Sequence, residues 1–195
     1  MKKLINGEKF SKEIIKGISV NGFKYKVSSK EELREIIENY SEKNSEGSLN
    51  WIDVSNIMYM TKLFAFTMFD GDISEWDTSN VVDMSYMFYE AEVFNQDISN
   101  WDVSNVTDMS YMFCGAILFK QPIGKWNVSN VTDMGSMFIH AASFNQPIGD
   151  WNVSNVTDMN HMFYYATSFN QPIGDWNVSN VTNMDLMFYS ATSFN

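Results

Sequence analysis

From residue 51 onward, apolar and polar positions recur with a period of 25 residues. Trp stands at 51, 76, 101, 126, 151 and 176 and nowhere else. Read from Trp101, the unit is Trp101-Asp102-Val103-Ser104-Asn105-Val106-Thr107-Asp108-Met109, followed by Met112-Phe113, Ala116, Phe119 and Ile123. From Trp151 it is Trp151-Asn152-Val153-Ser154-Asn155-Val156-Thr157-Asp158-Met159, then Met162-Phe163, Ala166, Phe169 and Ile173. A strict period of this length marks one supersecondary unit stacked repeatedly. Two patterns alternate inside the unit. Ile98-x-x-Trp101-x-Val103 predicts a short strand with Trp and Val inward. Asp108 followed by Met109, Met112, Phe113 and Ala116, at spacings of three and four, predicts a short helix with Asp108 as its N-cap. The stretch Phe119 to Gly124 turns the chain back, as do Pro147-Ile148-Gly149 and Pro172-Ile173-Gly174, where Pro and Gly punctuate a loop. The first unit is irregular: Ile52 is inserted before Asp53-Val54-Ser55-Asn56, and one residue is missing before Phe69.

One short strand and one short helix per 25 residues predict an α/β fold, a leucine-rich-repeat-like right-handed solenoid. Short parallel strands would lie on one face, about 4.8 Å apart, and short helices on the other. The hand follows from the crossover preference of parallel strands. Residues 51–195 form six repeats, the last one incomplete. Residues 1–50 do not repeat and predict an N-terminal α+β cap, a hairpin plus a helix. The hairpin signal is Asn21-Gly22 between β-prone flanks, Ile18 to Tyr25. Ser29-Lys30-Glu31-Glu32 is a capping box. Leu33, Ile36, Ile37 and Tyr40 mark one face of a helix over 30–40. Such a cap shields the open end of a repeat core. At the other end the core beneath Phe188, Ala191 and Phe194 meets no following unit, which predicts fraying or end-to-end self-association.

The phrase Trp-Asp-Val-Ser-Asn-Val-Thr-Asp-Met, followed by Met-Phe and Phe-Asn-Gln, resembles the 25-residue repeats of the BspA-like bacterial leucine-rich-repeat surface proteins, abundant among mycoplasma lipoproteins. The resemblance covers residues 51–195. It implies surface display, adhesion and binding of a protein partner, including a host protein. The start of the chain points elsewhere. Met1-Lys2-Lys3-Leu4-Ile5 is basic, but Asn6-Gly7-Glu8-Lys9 ends it before an apolar region forms, so no signal peptide is predicted. The sequence alone reads as cytoplasmic; the resemblance implies the cell surface or secretion.

Charge narrows the partners. Ten of the 13 basic residues lie at or before Lys43, and residues 51–195 keep only Lys62, Lys120 and Lys125 against 16 acids. That surface repels phosphate backbones and anionic membranes, so neither nucleic acid nor a membrane surface is an expected partner. Polar residues interrupt every apolar run well before the roughly 20 residues of a membrane span. Cys114 is the only cysteine, which excludes an internal disulfide and a thiolate metal cluster.

Each repeated position becomes a column in the stack. Asn56, Asn80, Asn105, Asn130, Asn155 and Asn180 form one column, readable as backbone-bonding amides or as a row for a glycan. Asp83, Asp108, Asp133 and Asp158, ending in Asn183, form another, readable as turn caps or as a cation site. Met pairs such as Met109 and Met112 interleave with Phe and suit an adaptable core. His140 and His161 occupy different columns, and no nucleophile motif, phosphate loop or paired-His zinc spacing occurs. No catalytic, cofactor-binding or metal residue is predicted, and no cofactor. The expected function is a non-enzymatic surface for protein–protein interaction or adhesion. Its candidate face is formed by the residues flanking each inward Val: Asp77 and Ser79, Asp102 and Ser104, Asn127 and Ser129, Asn152 and Ser154, Asn177 and Ser179. The alternative is a carbohydrate- or cation-binding array using the Asn and Asp ladders.

Overall fold

A computed structural model describes residues 24–41 and 47–195. Most of the expected hairpin, Ile18 to Phe23, lies outside the described residues. Its last part is strand β1 (Tyr25–Lys26), which runs parallel to β2 (Ile52–Asp53), pairing Tyr25 with Ile52 and Lys26 with Asp53. Between them, helix α1 spans Lys30–Ser41. Its start is fixed as the sequence requires. The Ser29 hydroxyl accepts the Glu32 amide at 3.2 Å, and the Glu32 carboxylate reaches back to the Ser28 amide at 2.6 Å. These bonds satisfy amides that a helix start leaves without intrahelical partners. Leu33, Ile36 and Ile37 are buried in the same core as Trp51, Leu63 and Phe64.

This N-terminal unit stands in for a preceding repeat. The Tyr25 amide bonds the Trp51 carbonyl at 2.7 Å, and the Asn56 side chain donates to the Val27 carbonyl at 2.9 Å. One repeat later, Asn80 donates to the Ser55 carbonyl in the same way, at 2.8 Å.

Successive repeats stack in register. Parallel bridges link Tyr59 to Asp83, Asp83 to Asp108, Asp108 to Asp133, Asp133 to Asp158 and Asp158 to Asn183. The pairing falls on the Asp column, not at Trp. Around each Trp the chain makes tight turns instead of a strand: the Trp101 amide bonds the Ile98 carbonyl at 3.2 Å, and Val106 bonds Val103 at 2.9 Å. The reason is local. The Asx residue after Trp accepts its own backbone two residues on, as Asp102 does from Ser104 at 2.9 Å, and such a bond competes with an extended ladder. The inward alternation is nevertheless present, since Trp101 and Val103 are buried and Asp102 is exposed.

The second difference is larger. No helix forms at Met84–Ala91, Met109–Ala116 or their counterparts; each is a run of turns. Alternate amides point in different directions. Met87 bonds Met84, Tyr89 bonds Tyr86 and Ala91 bonds Phe88, each at 3.1 Å within the repeat. Tyr86, Phe88 and Glu90 instead donate to Ser110, Met112 and Cys114 of the next repeat, at 2.9, 2.9 and 2.7 Å. Consecutive tight turns bring residues three apart to one side just as a helix does, so the apolar spacing fits both. An isolated eight-residue helix is marginal, whereas the neighbouring repeat supplies a row of carbonyls for every second amide. The alternation is set by left-handed backbone at two positions per repeat, ten and fourteen residues after Trp: Tyr86 and Glu90 at φ 58° and 54°, Tyr111 and Gly115 at 57° and 73°, Ser136 and His140 at 60° and 55°.

The core is made of columns. Phe64, Phe88, Phe113, Phe138, Phe163 and Phe188 stack with neighbouring ring centroids 5.3, 5.5, 5.7, 5.6 and 5.5 Å apart. Phe94, Phe119, Phe144, Phe169 and Phe194 form a second column, and each lies about 4 Å from the first-column ring of its own repeat. Each of Trp76 through Trp176 is buried and donates its indole N–H to an Ile or Leu carbonyl of the preceding repeat, as Trp126 does to Ile98 at 3.1 Å. The final repeat is packed on one side only. Val178 and Met184 are each 40 % exposed, where Val153 and Met159 are essentially covered. The amides of Met184, Leu186, Phe188 and Ser190, whose counterparts donate to a following repeat, have no acceptor among the described residues. Two such ends meeting face to face would set donors against donors.

Candidate interaction surface

The ten candidate residues recur in equivalent places, one pair per repeat. Asp77, Asp102, Asn127, Asn152 and Asn177 are exposed, and their Ser partners are half-buried except for exposed Ser179. Each pair is an Asx turn. The Ser amide donates to the Asx side-chain oxygen at 3.1 Å in Asp77–Ser79, 2.9 Å in Asp102–Ser104 and 3.2 Å in the three Asn pairs. The Ser104 hydrogen bonds hold the Asp102 carboxyl below its ordinary value. The column therefore presents one free Asx polar atom per repeat, charged in the second and third repeats and neutral afterwards.

The Asn ladder is committed to the backbone. Asn105, Asn130, Asn155 and Asn180 donate to the Ser79, Ser104, Ser129 and Ser154 carbonyls at 2.6 to 2.7 Å. The Asp ladder closes turns. Asp83, Asp108, Asp133 and Asp158 each accept the amide two residues on at 2.8 Å, and Asn183 does so at 3.1 Å. This is the N-cap bond without a helix behind it. Burial raises the Asp133 carboxyl; the Gly135 amide opposes the rise and the charges of Asp108 and Asp158 add to it. Among the described residues no three His, Cys, Asp or Glu side chains converge as metal ligands.

The remaining reactive groups are engaged elsewhere. Cys114 is buried, and desolvation followed by the Glu90 charge pushes its thiol to about 12; a thiol so raised is a poor nucleophile. His161 Nδ1 lies 2.9 Å from Asn160 Oδ1, and His140 stacks on Tyr165 at 4.9 Å. No described helix is long and apolar enough to cross a membrane.

A second surface was not anticipated from the sequence. The left-handed positions and their neighbours project large side chains outward: Phe66, Tyr86, Tyr89 and Tyr111 over the first three repeats, then His140, His161, Tyr164, Tyr165 and Tyr189. The rings stack on one another, Tyr86 on Tyr111 at 4.5 Å and Tyr164 on Tyr189 at 5.1 Å. Lys62 Nζ sits 5.0 Å over the Tyr86 ring. Bulky residues at positive φ are uncommon and cost stability, so these rings are not placed there for backbone comfort. A usable signal did exist in the sequence. Ten, thirteen and fourteen residues after Trp the repeats differ from one another, while the columns beside them hold Met and Phe throughout.

No curated protein and no solved structure matches the chain. A family pattern does, over residues 31–138 and again over 98–195, so that together the two matches run from the start of α1 to the last residue of the sixth repeat. With its 25-residue units in register through both matches, the chain belongs to the mycoplasma protein family of unknown function DUF285.

Proposed function

We propose that this chain is a non-enzymatic binding protein whose stacked repeats present an extended surface to a protein partner. One observation carries the reading. Each repeat commits its Trp, Phe, Met and Asn side chains to its neighbours and leaves regular outward columns of Asx, Ser and aromatic residues. A partner reading several repeats at once gains contacts that one repeat cannot offer. The parallel bridges and the 25-residue register support a right-handed solenoid of the leucine-rich-repeat type. The repeat phrase supports kinship with BspA-like surface proteins and, with it, adhesion to a host protein. The carbohydrate- or cation-binding alternative is less well supported, because the Asn amides and the inner Asp oxygens already bond the backbone.

Titration of the intact chain against a panel of extracellular matrix proteins, soluble glycans and calcium tests this. The expected result is saturable binding to a protein ligand, weakened at least about tenfold by Asp77→Lys with Asp102→Lys if the Asx column is the contact. Saturable binding to glycan or calcium with none to protein would replace the reading with its alternative.

A further inference from the structure

The outward aromatic surface is interrupted at one place. In the column ten residues after Trp, Lys62, Tyr86 and Tyr111 stack one above the next, and then Ser136 takes the place of a large side chain. In the column fourteen residues after Trp, Gly115 takes the corresponding place between Glu90 and His140. Aromatic groups resume beyond the gap with His140, Tyr164 and Tyr165. The result is a notch with a small-residue floor and a ring on either side.

The notch has an acidic wall. A Cβ on Gly115 would lie 2.6 Å from the Glu90 carboxyl carbon, so the carboxylate rests over the bare glycine backbone. That carboxylate makes no hydrogen bond or ion pair among the described residues. Tyr111 stacks with Tyr86, and it has no ring partner on the Ser136 side. The structure also shows what such a ring accepts. Lys62 Nζ covers the free side of Tyr86 one step along the same column.

Resting on the interaction reading above, we propose that this notch receives an arginine side chain of a basic, extended peptide segment in the protein partner. A guanidinium can stack flat on the exposed Tyr111 face while its N–H fork meets the Glu90 carboxylate. The acid-rich surface of residues 51–195 attracts such a segment over longer range. Glycine at 115 is what admits the carboxylate to this position, because any side chain there would displace it. Arginine is preferred to lysine, since both the stack and the fork use its planar group.

The test uses the intact chain and two fluorescent peptides, one of Arg-Gly-Ser repeats and one of Lys-Gly-Ser repeats, followed by anisotropy at low and at physiological salt. The Arg peptide binds more tightly. Glu90→Gln weakens it by about tenfold, in line with loss of a charge-assisted contact. Ser136→Tyr fills the notch with the residue that the preceding repeat already carries at this column, Tyr111, and weakens it by a similar factor. Asp150→Asn, which removes the same charge from the loop before Trp151, leaves binding unchanged. If Ser136→Tyr does not fold, Glu90→Gln against Asp150→Asn decides alone. Equal losses in those two mean diffuse attraction and overturn the notch. Binding that responds only to Asp77→Lys and Asp102→Lys overturns the notch and keeps the interaction reading. No saturable binding of either peptide overturns the notch, and the reading then stands or falls on the protein panel.

Discussion

Twelve residues after each regular Trp the chain carries Phe88, Phe113, Phe138, Phe163 and Phe188; two residues earlier it carries Tyr86, Tyr111, Ser136, His161 and Leu186. The first set faces inward, and each ring rests on the same ring of the next repeat. A change there is felt on both sides, because a close-packed interior has no slack. The second set faces outward from left-handed backbone. It has no shared steric partner, so size and chemistry vary freely from repeat to repeat. The inner columns hold the stack together. The outer columns are where repeats that are otherwise alike acquire different chemistry, and the aromatic clusters and the notch between them lie there.

The sharpest way to break this contrast is to truncate an inner ring. Phe138 is fully buried between Phe113, Phe163 and Phe144. Phe138→Ala is expected to cost about 3–5 kcal/mol in urea unfolding. Phe188→Ala, in the half-buried final repeat, is expected to cost clearly less. Equal losses would mean that the stack does not derive its stability from rings covered on both sides.

Much of this inner architecture was legible from residue types. The period, the buried Trp and Phe columns, the Asn ladder onto backbone, and α1 with its capping box all follow from spacing and side-chain chemistry. The local backbone was not. Met84, Met87, Phe88 and Ala91 have helical spacing, yet two tight turns meet the same spacing, and the choice depends on carbonyls supplied by the next repeat. The left-handed positions were equally hidden, since only Gly115 among them carries the residue that usually marks such backbone; Tyr111 and His140 carry no such mark. The Asx–Ser pairs were placed outward correctly in the sequence reading, but their turn bonds depend on backbone that the pattern predicted as strand.

At the boundary between inner and outer columns, Asn130 donates to the Ser104 carbonyl at 2.6 Å from an exposed position. Asn130→Ala is expected to cost about 0.5–1.5 kcal/mol, the worth of one net hydrogen bond. A loss as large as that of Phe138→Ala would make the ladder, not the rings, the chief tie between repeats.

The outer columns predict effects of opposite sign at two left-handed residues. Gly115→Ala places a Cβ at φ 73° and against the Glu90 carboxyl. It should cost about 1 kcal/mol, because the carboxylate is a movable side-chain end and the backbone term remains. His140→Gly relieves a residue at φ 55° that is exposed and gives up only its stacking on Tyr165. Its stability should be unchanged or higher by up to about 1 kcal/mol. Thermal melts of both variants decide the matter, and a large loss at His140 would show that the aromatic surface is part of the fold's support.

The smallest effect is expected at Asp133, which lies half-buried within the carboxylate ladder. Burial raises its carboxyl, and the charges of Asp108 and Asp158 on either side act in the same direction. A group raised in the folded state contributes stability below its unfolded pKa and loses that contribution as pH rises through the folded value. At neutral pH the charged Asp133 is therefore a net cost. Asp133→Asn keeps an oxygen for the Gly135 amide, as Asn183 does for Asp185 in the same column, and removes the charge. The variant should be the more stable protein at neutral pH, with an advantage that shrinks as pH falls through the carboxylate range. Asp53, Asp72, Asp97 and Asp102 are shifted the other way and lose stability on acidification, but they do so in both proteins and cancel in the difference. A gap between the two unfolding curves that stays constant from neutral to acid pH would mean that the ladder carries its stacked charges without penalty.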